Sequence, residues 1–231
     1  QYSKIKPGSV PSVALKRGTK AFLNETKNMK SSNANGYYDD TGDRHPDDED
    51  RVACRNHFRD HLTSGKKVNA SQLFPHQIVG DAEKANSAST LSRDMVLAQW
   101  KSLLEHTKDK MSTIVAELTE SGNKSSSTES AAASSISAGR FIGCADTSGS
   151  MTWVGKAPNR PFDIAVALTS FMSELAAPPY KNLAMSFSTS PRIFTFEEHH
   201  NVFDRIRKIT DEGCYGSTNY LGLHKACLLY T

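Results

Sequence analysis

The sequence predicts a multi-domain α + α/β chain: an all-helical N-terminal region, then the first half of an open α/β sheet. Three observations carry this. Apolar residues recur at helical spacing up to Leu118, a Ser/Ala/Thr-rich stretch follows, and after Arg140 short apolar runs alternate with amphipathic helical segments. The domains divide accordingly into residues 1–118, 119–138 and 139–231.

Val13 to Met29 carries apolar residues at Val13, Ala14, Ala21, Phe22 and Leu23 without an internal proline, so it reads as a helix capped by Ser12. A polar loop follows, with an acidic block from Asp39 to Asp50 (the acidic loop spans about 31–50). Its glycine and glutamate do not fall where a calcium EF-hand loop needs them. Asp48 to Thr63 reads as a second helix, with acids at its start and Gly65 after its end. His57 and His61 stand four apart on it, a metal-binding spacing. With no third ligand in view, they read as surface or packing histidines. Pro75 opens a short helix, and Ser92 to Leu118 a long one with Ser92 as its cap. Residues 119–138 hold too little apolar surface to pack and read as a linker.

Beyond the linker, Phe141 to Ala145 reads as a buried strand and Pro161 to Ala176 as a helix. Leu183 to Ser188 and Arg192 to Phe196 are close enough for a hairpin. Val202 to Ile209 and Asn219 to Tyr230 complete the helical set.

Bulk properties narrow the function classes. The 231 residues carry a formal net charge of +3, unevenly spread: the first 30 residues are basic. A basic start can meet RNA phosphates, but from charge alone a solvated helix face is the preferred reading. Cys54, Cys144, Cys214 and Cys227 form no CxxC pair and read as reduced thiols of an intracellular protein, packed in cores by default. No apolar run spans a bilayer, so no membrane association is expected, and no DNA partner either. The expected location is cytoplasmic, with the nucleus as the alternative. Phosphate-loop and dinucleotide fingerprints are absent from the sequence.

The segment Phe141 to Met151, FIGCADTSGSM, carries the chemistry. A strand ends in Asp146, and ligands of open α/β sheets bind outside the carboxyl ends of strands. The D-x-S-x-S pattern places one carboxylate beside the Ser148 and Ser150 hydroxyls. Hard oxygen donors of this kind suit Mg²⁺. Downstream, Gly216-Ser217-Thr218-Asn219 offers a further hydroxyl.

Asp146-Thr147-Ser148-Gly149-Ser150, with Thr218, resembles the metal-ion-dependent adhesion site of von Willebrand factor A domains. That resemblance implies a Rossmann-like fold and one Mg²⁺ (or Mn²⁺) held by Asp146, Ser148, Ser150 and Thr218. It also implies a protein partner that supplies an acidic side chain to the ion. The family's aspartate after the fourth strand lies beyond this sequence. Upstream, Val10 to Ala14, Gly65 to Val79 and Ala98 to Lys101 resemble an uncharacterised eukaryotic and giant-virus family. So do Phe162 to Leu168, Ser173 to Leu175 and Ser186 to Ser188. That family joins a TROVE-like helical region to a von Willebrand A domain, as the Ro RNA-binding autoantigen does. Residues 1–118 would then be the TROVE-like region and 139–231 the N-terminal half of the von Willebrand A domain. The family's strand order would place Phe141 to Ala145 between the second strand and a fourth, which leaves an apolar edge in a chain that stops here.

The resemblance implies a non-enzymatic binding module, part of a protein or ribonucleoprotein complex. Small structured RNA, bound through the TROVE-like helices, is the alternative partner. A hydrolase using Ser148 is the third reading. It is disfavoured because Thr-Ser-Gly-Ser is not a G-x-S-x-G elbow and nothing in the sequence brings His199 or His200 to Ser148.

Overall fold

A computed structural model describes residues 1–25, 43–85, 89–121, 139–156, 159–213 and 216–230. They form two compact units: residues 1–74 with 81–103, and 75–80 with 104–231. The described residues are mostly helical, with a small three-stranded sheet. None of its described helices is long and apolar enough to cross a membrane. Most of the acidic loop and of the Ser/Ala-rich linker lies outside the described residues, as does Cys214.

The first unit begins with 3-10 turns at Tyr2–Lys4 and Pro7–Ser9, followed by α1 (Ser12–Phe22) and α2 (Glu49–Thr63). Helices α3 (Pro75–Ala85) and α4 (Thr90–Ser121) come next, of which residues 81–85 and 90–103 belong to this unit. The core of the unit gathers Leu15, Leu23, Cys54, Phe58 and Met95, all fully buried. The Phe22 ring stacks on Phe58 with centroids 5.3 Å apart.

Two expected helix starts are corrected. Ser12 is the first residue of α1 rather than its cap, and its hydroxyl accepts the Gln72 N–H at 3.3 Å. Ser92 lies inside α4; the capping hydroxyl is that of Ser89, which accepts the Ser92 N–H at 3.2 Å. Both Ser89 and Ser92 donate to the buried Glu25 carboxylate, which explains why these serines sit at the start of α4. Helix α1 also stops at Phe22 instead of running on to Met29. Asn24 adopts φ +51° and uses its side chain to hold Asp43 and His45, an alternative to continuing the helix that asparagine takes readily. The cap of α2 is Asp48, whose carboxylate accepts the Asp50 and Arg51 N–H groups.

Asp50 fastens the N-terminal turn to α2. Its carboxylate accepts the Ser3 hydroxyl and the Ser3 and Tyr2 N–H groups, the last two at 2.9 and 2.5 Å. These bonds, the Ser3 hydroxyl first among them, lower its pKa from 3.8 to about 2. A depressed value means that the attachment is at full strength above about pH 4 and is lost as the pH falls through about 2. In an acid titration followed by NMR, the Tyr2 and Ser3 amides should shift with a midpoint near 2, and Asp50→Asn should erase that step. An ordinary midpoint near 4 would contradict this account.

In the second unit, β1 (Gly143–Asp146) leads through α5 (Ser150–Trp153) and α6 (Pro161–Leu175) to β2 (Leu183–Phe187). Strand β3 (Ile193–Thr195), α7 (Val202–Glu212) and α8 (Tyr220–Tyr230) follow. The strand order is β1-β2-β3, with β1 and β2 parallel (Gly143↔Ala184 to Asp146↔Phe187) and β2 and β3 antiparallel. A parallel pair needs a crossover, and α6 supplies it. Gly143, Ala145, Ala184 and Ser186 share the face toward α6, and a Cβ on Gly143 would stand 3.1 Å from Thr169 Cα. Small side chains thus let the helix lie close on the strands.

Arg205 of α7 ties this layer together. Its guanidinium donates to Ser173 Oγ at 3.0 Å, Asn182 Oδ1 at 2.7 Å and the His200 carbonyl at 3.2 Å. It thereby joins α6 and α7 to the turn that starts β2. Cys144 corrects another expectation: its side chain, on β1 at the edge of the described sheet, is exposed and not core-packed. Cys54, by contrast, is buried as expected, and burial raises its thiol pKa.

Candidate functional site

Asp146 ends β1, where the ladder to β2 continues for one more bond, from Thr147 N–H to the Phe187 carbonyl at 3.2 Å. The chain then turns sharply. The Ser148 N–H donates to Asp146 Oδ1 at 2.9 Å, an Asx-type turn in which the side chain stands in for a backbone acceptor. The second carboxylate oxygen has no hydrogen-bond partner among the described residues. Ser148 is only 2% exposed, and among the described residues its hydroxyl has one hydrogen-bond partner, the Ser150 hydroxyl at 3.2 Å. Ser150 starts α5 and is itself exposed.

Two further loops are bonded to this turn or to each other. The Gly149 N–H donates to the Gly216 carbonyl at 2.9 Å, joining the turn to the segment before α8. Thr189, in the loop after β2, accepts the Ser217 N–H at 2.9 Å and donates to the Ser217 carbonyl at 3.1 Å. Its own carbonyl accepts Asn219 Nδ2 at 3.0 Å. Gly216 is required at the crossing: its φ is +145°, and a Cβ there would come within 2.3 Å of Thr189 Oγ1. Thr218 lies between the two clamped residues Ser217 and Asn219. It is exposed, with no hydrogen bond among the described residues.

Asp146, Ser148 and Ser150 therefore converge, and the Thr218 loop is bonded to the same turn through Gly149. Octahedral Mg²⁺ binds oxygens at about 2.1 Å, which puts adjacent ligands about 3.0 Å apart. The 3.2 Å between the two serine hydroxyls is close to that edge. The donors are all hard oxygens, and the free Asp146 oxygen is the one anionic position among them. Among the described residues no three His, Cys, Asp or Glu side chains gather to hold a metal, at this turn or elsewhere.

The other chemistry-bearing residues are engaged differently. His61 Nε2 lies 2.9 Å from the Lys67 carbonyl, a bond that fixes the ring within its own unit. His200 Nδ1 accepts the Glu197 N–H at 3.2 Å, and its ring meets the His199 ring edge-on. Among the described residues, no imidazole hydrogen-bonds to Ser148.

Sequence reasoning missed the clamp residues Thr189 and Asn219, whose pairing needs loops distant in sequence. It also missed an apolar rim. Trp153 is 85% exposed and Val154 is exposed beside it, at the end of α5. A Cβ on Gly149 would stand 3.8 Å from Trp153 Nε1 and 3.9 Å from the Gly216 carbonyl, so the indole borders the site. Tyr220 and Leu221 are exposed at the start of α8, and the Tyr220 ring packs edge-on against Phe187, which follows Ser186 at the end of β2, with centroids 4.8 Å apart. The signal in the sequence is that both apolar pairs come within three residues after the hydroxyl motifs.

Residues 140–231 match the family model of a domain of unknown function, DUF7788. No curated protein and no solved structure matches the chain.

Proposed function

We propose that the chain is a non-catalytic, divalent-metal-dependent protein-binding module of the von Willebrand factor A kind, carried on a helical scaffold. The observation that supports this most is the Asp146 carboxylate. It ends a strand with one oxygen bonded into the turn and the other without a hydrogen-bond partner among the described residues, next in the chain to a pair of hydroxyls at near-octahedral spacing. Asp146, Ser148, Ser150 and Thr218 would hold one Mg²⁺ or Mn²⁺. Bound there, the ion supplies a coordination position for an acidic side chain from a partner, because a single carboxylate leaves positive charge uncompensated.

The chain's own residues do the rest. The Gly149–Gly216 bond and the Thr189 clamp hold the loops in place before binding, which limits the ordering cost of association. Trp153 and Val154, with Tyr220 and Leu221, offer apolar contacts around a charged centre. Exposed tryptophans in such positions are frequent hot spots. The partner surface that fits is an acidic residue flanked by apolar ones.

The test is affinity capture with the full-length protein in the presence and absence of EDTA, read by mass spectrometry. Partners released by EDTA and restored by Mg²⁺ support the proposal; a partner set indifferent to EDTA contradicts it. Trp153→Ala should weaken a captured partner by about tenfold or more, equivalent to at least about 1.4 kcal/mol, while leaving Mg²⁺ affinity unchanged. Unaltered capture by that variant would remove the rim from the interface.

A further inference from the structure

A second feature of the α/β unit plays no part in the metal reading. Of the chain's nine prolines, only Pro191 directly follows a serine or threonine. The Ser190-Pro191 pair stands in the connection between β2 and β3. That connection is closed at its base: the Ser186 N–H donates to the Arg192 carbonyl at 2.8 Å, and the Arg192 N–H donates to Ser186 Oγ at 3.0 Å. Three consecutive hydroxyls lie within it, and they differ. Ser188 is buried, with its hydroxyl 3.5 Å from the Ser190 carbonyl. Thr189 is engaged in the clamp to Ser217. Ser190 is exposed, and its hydroxyl has no hydrogen-bond partner among the described residues.

Two cations flank this hydroxyl. Arg192 follows two residues on, at the base of the connection. Lys225 comes from α8: a Cβ on Gly222 would stand 3.1 Å from Pro191 Cδ, so that turn of the helix lies against the proline. Lys225 is three positions further and on the same helix face as Gly222. His224 points to the opposite side of the helix from Gly222. Arg192 and Lys225 are both exposed, and neither has an ion-pair partner among the described residues. Neither the connection nor α8 carries a carboxylate that could claim them.

We propose that Ser190 is the phosphoacceptor of a proline-directed protein kinase, and that its phosphate is held between Arg192 and Lys225. Proline after the acceptor has no backbone N–H, so a kinase that covers this position with apolar surface leaves no donor unsatisfied. In the transfer, Ser190 Oγ attacks the γ-phosphorus of ATP and the bond from that phosphorus to the β-phosphate oxygen breaks. ADP leaves with the electron pair, and the hydroxyl proton passes to the kinase's aspartate base. The product brings about two negative charges at pH 7. The Arg192 fork can take two of its oxygens and the Lys225 ammonium the third. The phosphate then joins the connection to α8, next to the bond that Thr189 already makes with Asn219.

The experiment incubates the full chain with ATP and a cyclin-dependent or a mitogen-activated kinase, and maps the product by mass spectrometry. One phosphate should be found, on Ser190. Ser190→Ala, a change at an exposed position, should abolish it, and Pro191→Ala should slow it at least tenfold with an unchanged circular dichroism spectrum. Phosphorus NMR of the product then reads the second phosphate pKa, ordinarily about 6. Neighbouring cations favour the dianion, so the value should lie lower by about half a unit or more, and Arg192→Ala with Lys225→Ala should restore it. No phosphate on Ser190 with either kinase, or equal rates for wild type and Pro191→Ala, would overturn the acceptor. An ordinary pKa in the phosphorylated wild type would overturn the seat between the two cations.

Discussion

Replacing Asp146 with alanine is expected to lower Mg²⁺ affinity by more than about 100-fold. Loss of outer-shell partners alone costs 10–100-fold in metal sites, and Asp146 is the one carboxylate in the proposed donor set. Alanine also removes the acceptor of the Ser148 N–H, so the turn itself loosens. Asp146→Asn separates the two effects: its side-chain oxygen can still accept that N–H, but the negative charge is gone. It should keep the melting temperature of the wild type and still lose Mg²⁺. Trp153 borders the site, so its fluorescence is a convenient reporter of ion binding alongside calorimetry. If Asp146→Asn bound Mg²⁺ as tightly as wild type, the carboxylate would not be a ligand.

Phe58→Ala is expected to produce the largest loss of stability, about 3–5 kcal/mol. Phe58 is fully buried, stacks on Phe22 and belongs to the cluster that joins α1, α2 and the start of α4. Truncation forfeits the transfer energy of the ring and leaves a cavity among Leu15, Leu23, Cys54 and Met95. Against a typical domain stability of about 5–15 kcal/mol, that is a large fraction. The thermal transition of the first unit, followed by circular dichroism, should fall by on the order of 10 °C or more. Leu168→Ala, at a half-exposed position on α6, should shift the transition far less. A Phe58→Ala shift as small as that of Leu168→Ala would contradict the packing described.

Much of the architecture was legible in the sequence because periodicity reports which faces are buried. The stripe Phe162, Val166 and Phe171 identified α6, and the apolar runs at residues 141–145 and 183–188 identified the parallel pair. Helix boundaries were less legible, since they depend on hydrogen bonds made across the chain. Glu25 recruits Ser89 and Ser92 over more than sixty positions, and no local pattern announces that. The exposure of Cys144 was hidden for a similar reason: an apolar run does not show which of its side chains the rest of the fold covers. At the site, the spacing of Asp146, Ser148 and Ser150 was readable because a strand end followed by an alternating turn fixes their direction. The Thr189 clamp and the Trp153 rim were not, because they arise only when three loops meet.

The most direct test of the central claim is calorimetric titration of Mg²⁺ into the wild-type chain and into a Ser148→Ala, Ser150→Ala double variant. The donor set predicts saturable binding of one ion by the wild type, and an affinity at least about tenfold weaker in the double variant. Binding that does not saturate, or equal affinity in the two proteins, would contradict a metal centre at the end of β1.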